Sequence, residues 1–151
     1  ELARQMDQAV VKSTFEEARK NGGLIEITDN MNDIKDADVI YGDIWASMGE
    51  EDLIPERAKL LTPYRVTEET LKATGNSNVL YLHCLPADIT GLSCPEGEVD
   101  NSVFDRYIVP LYKQASYKPY IIAAMMFLAQ VKDPVRALME MDKSGEERKM
   151  F

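Results

Sequence analysis

The stretch Asn78-Val79-Leu80-Tyr81-Leu82-His83-Cys84-Leu85-Pro86-Ala87 contains a short apolar run that ends in a polar, proline-bearing turn. A run of this length next to turn residues predicts a buried strand. The same order occurs earlier, where Ala37-Asp38-Val39-Ile40-Tyr41 is followed by Asp43-Ile44-Trp45-Ala46-Ser47-Met48-Gly49. Parallel strands would bring both polar turns to one edge of a sheet, and open α/β sheets bind ligands outside the carboxyl ends of their strands. The sequence therefore predicts a site at this edge.

The rest of the chain alternates between predicted strands and predicted helices. Strands are predicted over residues 24–28, 37–41, 79–82 and 108–112. Helices are predicted from residue 2 to the Gly22-Gly23 stop and over residues 29–35, 55–61, 68–74, 119–131 and 134–143, with one further helical turn at 103–106. This alternation predicts an α/β fold, with a doubly wound, Rossmann-like parallel sheet and helices on both faces. Because the chain opens with a helix, we expect the sheet to lack its first strand.

Length and composition restrict the class of protein. The chain has 151 residues, a formal net charge of −9 and 45% hydrophobic residues, as expected of one domain or part of one. The acidic balance and the lack of a basic stripe argue against a nucleic-acid partner. The longest apolar run, residues 121–129, is too short to cross a bilayer, and no signal peptide precedes it. Two cysteines without paired spacing are typical of a reduced, cytoplasmic protein. Because the chain starts at Glu1 in a helical pattern, we expect that upstream sequence has been removed.

His83, Cys84 and Leu85 can be interpreted in several ways. A Cys–His nucleophile pair would require a break in the strand, because adjacent strand residues point to opposite faces. Cys84 could instead be a small buried residue or a binding group at the strand end. His83 could be a structural, hydrogen-bonded histidine or an acid–base group. Leu85 precedes a proline, which favours an extended backbone and could leave its carbonyl able to accept from a ligand amine.

Asp43 and the segment that follows it suggest recognition of an amino acid. A carboxylate at a strand end can hold an ammonium group. The Ser47 hydroxyl and the backbone N–H groups near Gly49 can hold a carboxylate. The alternative is a capped loop in which Asp43 and Ser47 satisfy backbone donors. Spacing alone leaves both interpretations open.

Other notable segments are assigned structural roles. Trp45 is interpreted as packing, and Glu50-Glu51-Asp52 as a solvated helix start, since three adjacent acids do not share a face. No metal site is predicted. Residues 87–98 form a long irregular loop, which in a compact domain is usually functional or disordered. The segment 121–128 is apolar on every side and needs neighbours on every side, so we expect one copy of the chain to cover it poorly.

These motifs resemble the C-terminal, amino-acid-binding domain of ornithine-type transcarbamoylases. The resemblance rests on residues 37–41, 43–49 and 83–86, with Glu56-Arg57-Ala58-Lys59 and Pro63-Tyr64 between them. It covers almost the whole chain, residues 1–151. The family transfers the carbamoyl group of carbamoyl phosphate to an amine, and the product is citrulline when the amine is ornithine.

The resemblance implies a role for each site residue. Asp43 would take the α-amino group, and Ser47 and Met48 the α-carboxylate. Cys84 and the Leu85 carbonyl would lie against the reacting amine and the carbamoyl group, and His83 is counted with the substrate-binding residues. It implies no metal or organic cofactor, and it implies a homo-oligomer, such as a trimer, for the full-length enzyme. Alternatives are a different amine or ureido substrate, or a non-catalytic amino-acid-binding module.

The sequence departs from the ornithine enzymes in three places. After Pro86 the family usually continues into a short Gly-Glu-Glu segment, whereas this chain has residues 88–99, with an inserted-looking Gly91 to Gly97. The Arg that helps to hold the phosphate falls at Tyr117, and Lys118 beside it could supply the charge without the bidentate fork. The family's phosphate-binding motifs belong to an N-terminal domain that is absent from this chain. We therefore expect half of an active site here.

Overall fold

The fold is described from a computed structural model, over residues 7–46, 49–91 and 94–145. The chain divides into two compact units, the first ending at Ile108 and the second beginning at Val109. The division falls inside a helix. The predicted site lies in the first unit, apart from Lys118, which belongs to the second.

Eight regular elements make up most of the described chain. The helices are α1 (Gln8–Lys20), α2 (Ile54–Leu61), α3 (Glu68–Ala73), α4 (Asn101–Ser116), α5 (Lys118–Gln130) and α6 (Pro134–Ser144). The strands are β1 (Val39–Gly42) and β2 (Leu80–His83), and single 3₁₀ turns occur at Met31–Ile34, Glu51–Leu53 and Thr62–Tyr64. Caps that are readable in the sequence define several helix starts. The side chains of Asp7, Thr67 and Asp133 accept N–H bonds at the starts of α1, α3 and α6.

The two strands pair in parallel, with Val39 opposite Leu80 and Gly42 opposite His83. Helices α2 and α3 lie between them in the chain, as parallel pairing requires a crossover connection. The architecture is therefore α/β, with a parallel sheet and helices, as the sequence predicts. β1 lies partly open to solvent, since Val39 and Tyr41 are exposed.

The core of the first unit lies against one face of β2. Tyr81 and His83 point into this face and are fully buried, together with Val99 and Val103. Helix α4 is held to the start of β2 by its Tyr107, whose hydroxyl donates to the Val79 carbonyl at 2.6 Å. The aromatic rings of Tyr81 and Tyr107 meet edge-on. This packing fixes the strand that ends at the predicted site.

Two predicted strands are wrong. Residues 24–28 are irregular, with Leu24 and Ile27 82% and 65% exposed, because no neighbouring strand pairs with them in the described chain. Residues 108–112 belong to helix α4. Val103 and Leu111 are buried at helical spacing, and this period was hidden by the β-branched residues Ile108 and Val109. The predicted helices 55–61, 68–74, 119–131 and 134–143 are confirmed within one or two residues.

The expectation that residues 121–128 are poorly covered is confirmed. Helix α5 leaves most of its large apolar side chains 55–65% exposed, namely Ile121, Ile122, Met125, Met126 and Leu128. Helix α6 exposes apolar side chains in the same way. Among the described residues, no helix has both the length and the apolar character that a membrane span needs.

Candidate functional site

The two strand ends meet, as expected from parallel pairing. Gly42 is opposite His83 in the sheet register, so Asp43 and Cys84 leave their strands side by side. The Sγ atom of Cys84 lies 3.1 Å from Oδ1 of Asp43 and donates to it. Two motifs that are 41 residues apart in the sequence therefore form one contact.

The two carboxylate oxygens of Asp43 differ in their contacts. Its Oδ1 atom accepts from the Ile44 backbone N–H at 2.9 Å as well as from Cys84. Its Oδ2 atom has no hydrogen bond within the described residues, and the side chain is exposed. The capped-loop interpretation therefore accounts for one oxygen, and the other can hold an ammonium group.

Cys84 is held as a thiol. Burial raises the pKa of the Cys84 thiol above its ordinary value, and the hydrogen bond to the Asp43 carboxylate raises this pKa further. Its Sγ atom also lies 3.8 Å from Nδ1 of His83, since the strand ends between these two residues. A thiolate nucleophile needs a lowered pKa. The environment of Cys84 therefore favours a contact group over a nucleophile.

His83 is fully buried, with a polar neighbour on each side of its ring. Its Nδ1 atom accepts from the Leu85 N–H at 2.9 Å, so we assign the ring proton to Nε2, which lies 3.0 Å from Oε1 of Glu98. The predicted extended backbone at Leu85 is wrong. The His83 ring draws the Leu85 N–H back toward the strand, and Leu85 takes a φ of 50°, followed by a cis bond to Pro86.

Glu98 is a residue of this site that the sequence analysis missed. Its carboxylate is 5% exposed, and besides the His83 contact it accepts from two backbone groups, Asp88 N–H at 2.6 Å and Trp45 N–H at 3.2 Å. A single buried carboxylate therefore joins both strand-end loops. Its position, fifteen residues after His83 in an irregular segment, gave no periodic signal.

The inserted-looking segment Gly91 to Gly97 belongs to a loop that leaves the site and returns to it. The Glu98 N–H donates to the Asp88 carbonyl at 2.8 Å, so the two ends of the loop are adjacent. At Gly97, φ is +64° and a Cβ atom would lie 2.6 Å from the Ile89 carbonyl carbon. Only glycine allows this close return, which brings Glu98 beneath His83.

Of the groups predicted to bind a carboxylate, the structure describes only the backbone N–H of Gly49. Ser47 and Met48 lie outside the described residues. Beside them, the Gly49 N–H donates to the Glu51 carboxylate at 3.0 Å and lowers the pKa of that carboxyl. The predicted backbone donor is therefore occupied by a carboxylate from the chain itself. A ligand carboxylate would have to displace Glu51 to reach this N–H.

Lys118 is the first residue of α5 and is exposed, and its role near the site remains a prediction. In the described parts of the chain, no three His, Cys, Asp or Glu side chains are arranged to hold a metal ion.

Residues 3–129 match the family model for the Asp/Orn-binding domain of aspartate/ornithine carbamoyltransferases. The chain belongs to this family. It is 35% identical to the putative carbamoyltransferase YgeW of Escherichia coli K12, over 92% of this chain and 40% of that protein. It is 40% identical to a catabolic ornithine carbamoyltransferase of Clostridium perfringens strain 13, over 80% of this chain and 40% of that protein. The chain thus spans about 40% of the length of these relatives.

Solved structures support the same assignment. The anabolic ornithine carbamoyltransferase of Campylobacter jejuni superposes with a TM-score of 0.69 at 24% identity, over 81% of this chain and 38% of that one, and shows the fold. The ornithine carbamoyltransferase of Pyrococcus furiosus is 36% identical, with a TM-score of 0.56, over 67% of this chain and 30% of that one. The Rossmann-like α/β fold predicted from the sequence is that of these enzymes.

Proposed function

We propose that this chain is the amino-acid-binding half of a carbamoyltransferase, which moves the carbamoyl group of carbamoyl phosphate to the amine of an amino acid. The observation that carries the proposal is the contact of Cys84 Sγ with Asp43 Oδ1 at 3.1 Å, at the ends of two parallel strands. It joins the two motifs in which the chain resembles the family. Family membership supports the same reaction class.

The charges around this contact suit a cationic substrate group. The strand-end loops 43–46 and 83–88 contain the carboxylates Asp43 and Asp88 but no Lys or Arg. Glu98 adds a third carboxylate beneath them. An ammonium group placed at Asp43 would meet negative charge on the protein side, which favours its binding.

The reaction would proceed by positioning and electrostatic stabilisation. Asp43 binds the α-ammonium group, and Ser47 and Met48 receive the α-carboxylate. The second amine loses one proton and attacks the carbamoyl carbon beside the Cys84 thiol and the Leu85 carbonyl. The new C–N bond forms, the C–O bond to phosphate breaks, and phosphate leaves with a second amine proton, so that the product nitrogen keeps one hydrogen. No cofactor is needed.

Ornithine is the proposed amine, and citrulline the product. The ornithine carbamoyltransferases among the relatives support this choice. The putative carbamoyltransferase YgeW matches more of this chain, 92% against 80%, and its name specifies no amine. A different amine or ureido substrate is therefore the second candidate.

The phosphate side of the reaction is proposed to lie outside these 151 residues. The relatives are longer, and no Ser-Thr-Arg-Thr motif occurs in this sequence. Lys118 could contribute charge to the leaving phosphate. We propose that the chain alone transfers no carbamoyl group, and that the full enzyme is a cytoplasmic homo-oligomer.

The test is citrulline formation from carbamoyl phosphate and ornithine, with the complete gene product and the 151-residue chain assayed in parallel. We expect transfer by the complete gene product only. Transfer by the 151-residue chain would contradict the proposed division of the site. Product from another amine but not from ornithine would favour the second candidate. Amino-acid binding in calorimetry without transfer to any amine would indicate a non-catalytic binding module.

A further inference from the structure

Trp45 is held at both of its peptide groups, two residues beyond Asp43. Its N–H donates to Oε2 of Glu98 at 3.2 Å, and its carbonyl accepts from Nη1 of Arg57 at 3.0 Å. Glu98 comes from the loop after β2, whereas Arg57 comes from helix α2. The backbone beyond Asp43 is therefore fixed by two elements that lie far apart in the sequence.

The Nη1 atom of Arg57, which binds the Trp45 carbonyl, makes a second hydrogen bond. It also donates to Oε2 of Glu50 at 2.9 Å, so one guanidinium nitrogen joins Trp45 and Glu50. The two charged side chains are only 26% and 23% exposed. Because solvent screens a partly buried pair less than a surface pair, this contact restrains the backbone more strongly than an exposed ion pair would.

Glu98 extends the connection to the other strand end. Its Oε1 atom lies 3.0 Å from Nε2 of His83. The other ring nitrogen of His83, Nδ1, accepts the Leu85 N–H. A continuous series of contacts thus runs from Arg57 through Trp45 and Glu98 to His83. It connects the loop that carries Asp43 to the loop that carries Cys84.

We propose that Arg57 is a positioning residue for the amine-binding site, acting through Trp45 to hold Asp43 against Cys84. Arg57 need not touch the substrate. The inference rests on the proposed function, since it assigns the amine to Asp43 and Cys84. A purely structural Arg57 would instead stabilise helix α2 and leave substrate recognition unchanged.

Steady-state kinetics of Arg57→Gln in the complete gene product distinguish these roles. We expect the KM for the amine to rise about tenfold or more, with the KM for carbamoyl phosphate and the melting temperature little changed. Arg57→Lys should fall between wild type and Arg57→Gln, because an ammonium keeps the charge but not the fork geometry. A lowered melting temperature with an unchanged amine KM would overturn the proposal.

Arg106→Gln is the matched control. Arg106 also forms an ion pair with a glutamate, Glu68, at 2.7 Å, but it lies near Val79, at the opposite end of β2 from the site. This variant also loses an Arg–Glu ion pair, although Arg106 is more exposed than Arg57, at 52% against 26%. Its amine KM should equal that of the wild type. An equal rise in both variants would show that the effect is not specific to Arg57, and would overturn the proposal.

A double-mutant cycle tests the connection itself. Glu98 holds the peptide group before Trp45 and Arg57 holds the one after it, so both variants loosen the same residue. The combined effect of Arg57→Gln and Glu98→Gln on kcat/KM for the amine should therefore be smaller than the product of the two single effects. Independent, multiplicative effects would contradict coupling through Trp45.

A readout without catalysis separates this inference from the proposed function. If the wild-type gene product carbamoylates no amine, the proposed function fails. The exchange rate of the Trp45 amide hydrogen still tests the positioning. It should increase in Arg57→Gln but not in Arg106→Gln, because loss of the Arg57 bond loosens the residue that Glu98 protects. An unchanged Trp45 rate would overturn the role of Arg57 in either case.

Discussion

The Sγ atom of Cys84 donates a hydrogen bond to Oδ1 of Asp43 across a distance of 3.1 Å. The contact requires both strands to end in register, since Gly42 is opposite His83 and the next residue of each strand turns into the same space. It leaves Oδ2 of Asp43 without a partner in the described structure. It also keeps the thiol protonated, because a thiolate beside this carboxylate would meet like charge.

The first prediction concerns the reactivity of Cys84 as a function of pH. Since burial and the Asp43 carboxylate raise the pKa of Cys84, alkylation by iodoacetamide should rise only at a pH above the ordinary range of a thiol. Asp43→Asn removes the second cause, so the midpoint of the Cys84 alkylation profile should move to lower pH. Cys94, whose pKa is raised by burial and by Asp88, provides the control and should keep its midpoint. Peptide mass spectrometry measures both sites in one sample. An unmoved Cys84 midpoint would show that Asp43 does not raise the pKa of Cys84.

The second prediction uses the same variant for substrate recognition. Asp43 is exposed, so Asp43→Asn should leave the fold intact while it weakens binding of the amine. Loss of a charge contact to an ammonium group costs about 2–5 kcal/mol, which would raise the KM for the amine in the complete gene product. An unchanged KM, or a large fall in melting temperature, would assign Asp43 to loop structure.

The residues around Asp43 and Cys84 show which parts of this structure are predictable from sequence. Two apolar runs with polar ends were enough to predict β1, β2 and a shared edge, because strand periodicity and parallel pairing are local rules. Leu85 and residues 24–28 were predicted wrongly. Leu85 responds to the His83 ring rather than to its own proline, and residues 24–28 lack a sheet partner in the described chain.

The roles of Glu98 and Arg57 could not be predicted from the sequence. Both act on Trp45, at sequence separations of 53 and 12 residues, and neither has a spacing that relates it to that residue. Glu98 reaches the site only because Gly97 allows the loop to close on residues 88–90. A buried carboxylate whose partners are distant backbone N–H groups gives no pattern in the sequence.

The third prediction concerns Gly42, which precedes Asp43. A Cβ atom at this position would lie 2.8 Å from the Tyr81 hydroxyl and 2.9 Å from Cδ2 of His83. Gly42→Ala should therefore destabilise the fold by about 1–3 kcal/mol, the usual cost of overpacking, in a denaturant titration. Gly23→Ala is the control, because its Cβ would meet nothing closer than 3.4 Å, and it should change stability much less.

A second substitution identifies the cause of that loss. The Tyr81 hydroxyl is the atom closest to the added methyl group and is buried without a hydrogen-bond partner in the described structure. Tyr81→Phe should therefore restore part of the stability of Gly42→Ala. If the double variant is no more stable than Gly42→Ala, crowding against this hydroxyl is not the cause.

The fourth prediction concerns the exposed apolar surface of α5. Side chains such as Ile122 and Met125 are 55% and 65% exposed, and contiguous apolar surface of several hundred Å2 usually marks a contact with another molecule or domain. We therefore expect the 151-residue chain to self-associate through α5 or to be unstable in solution. Sedimentation velocity over a range of concentrations measures the association, and Ile122→Gln with Met125→Gln should reduce it. Leu24→Gln removes an apolar side chain that is 82% exposed but lies in an irregular segment of the first unit, and it should leave the association unchanged. A stable monomer at all concentrations would mean that this surface needs no partner.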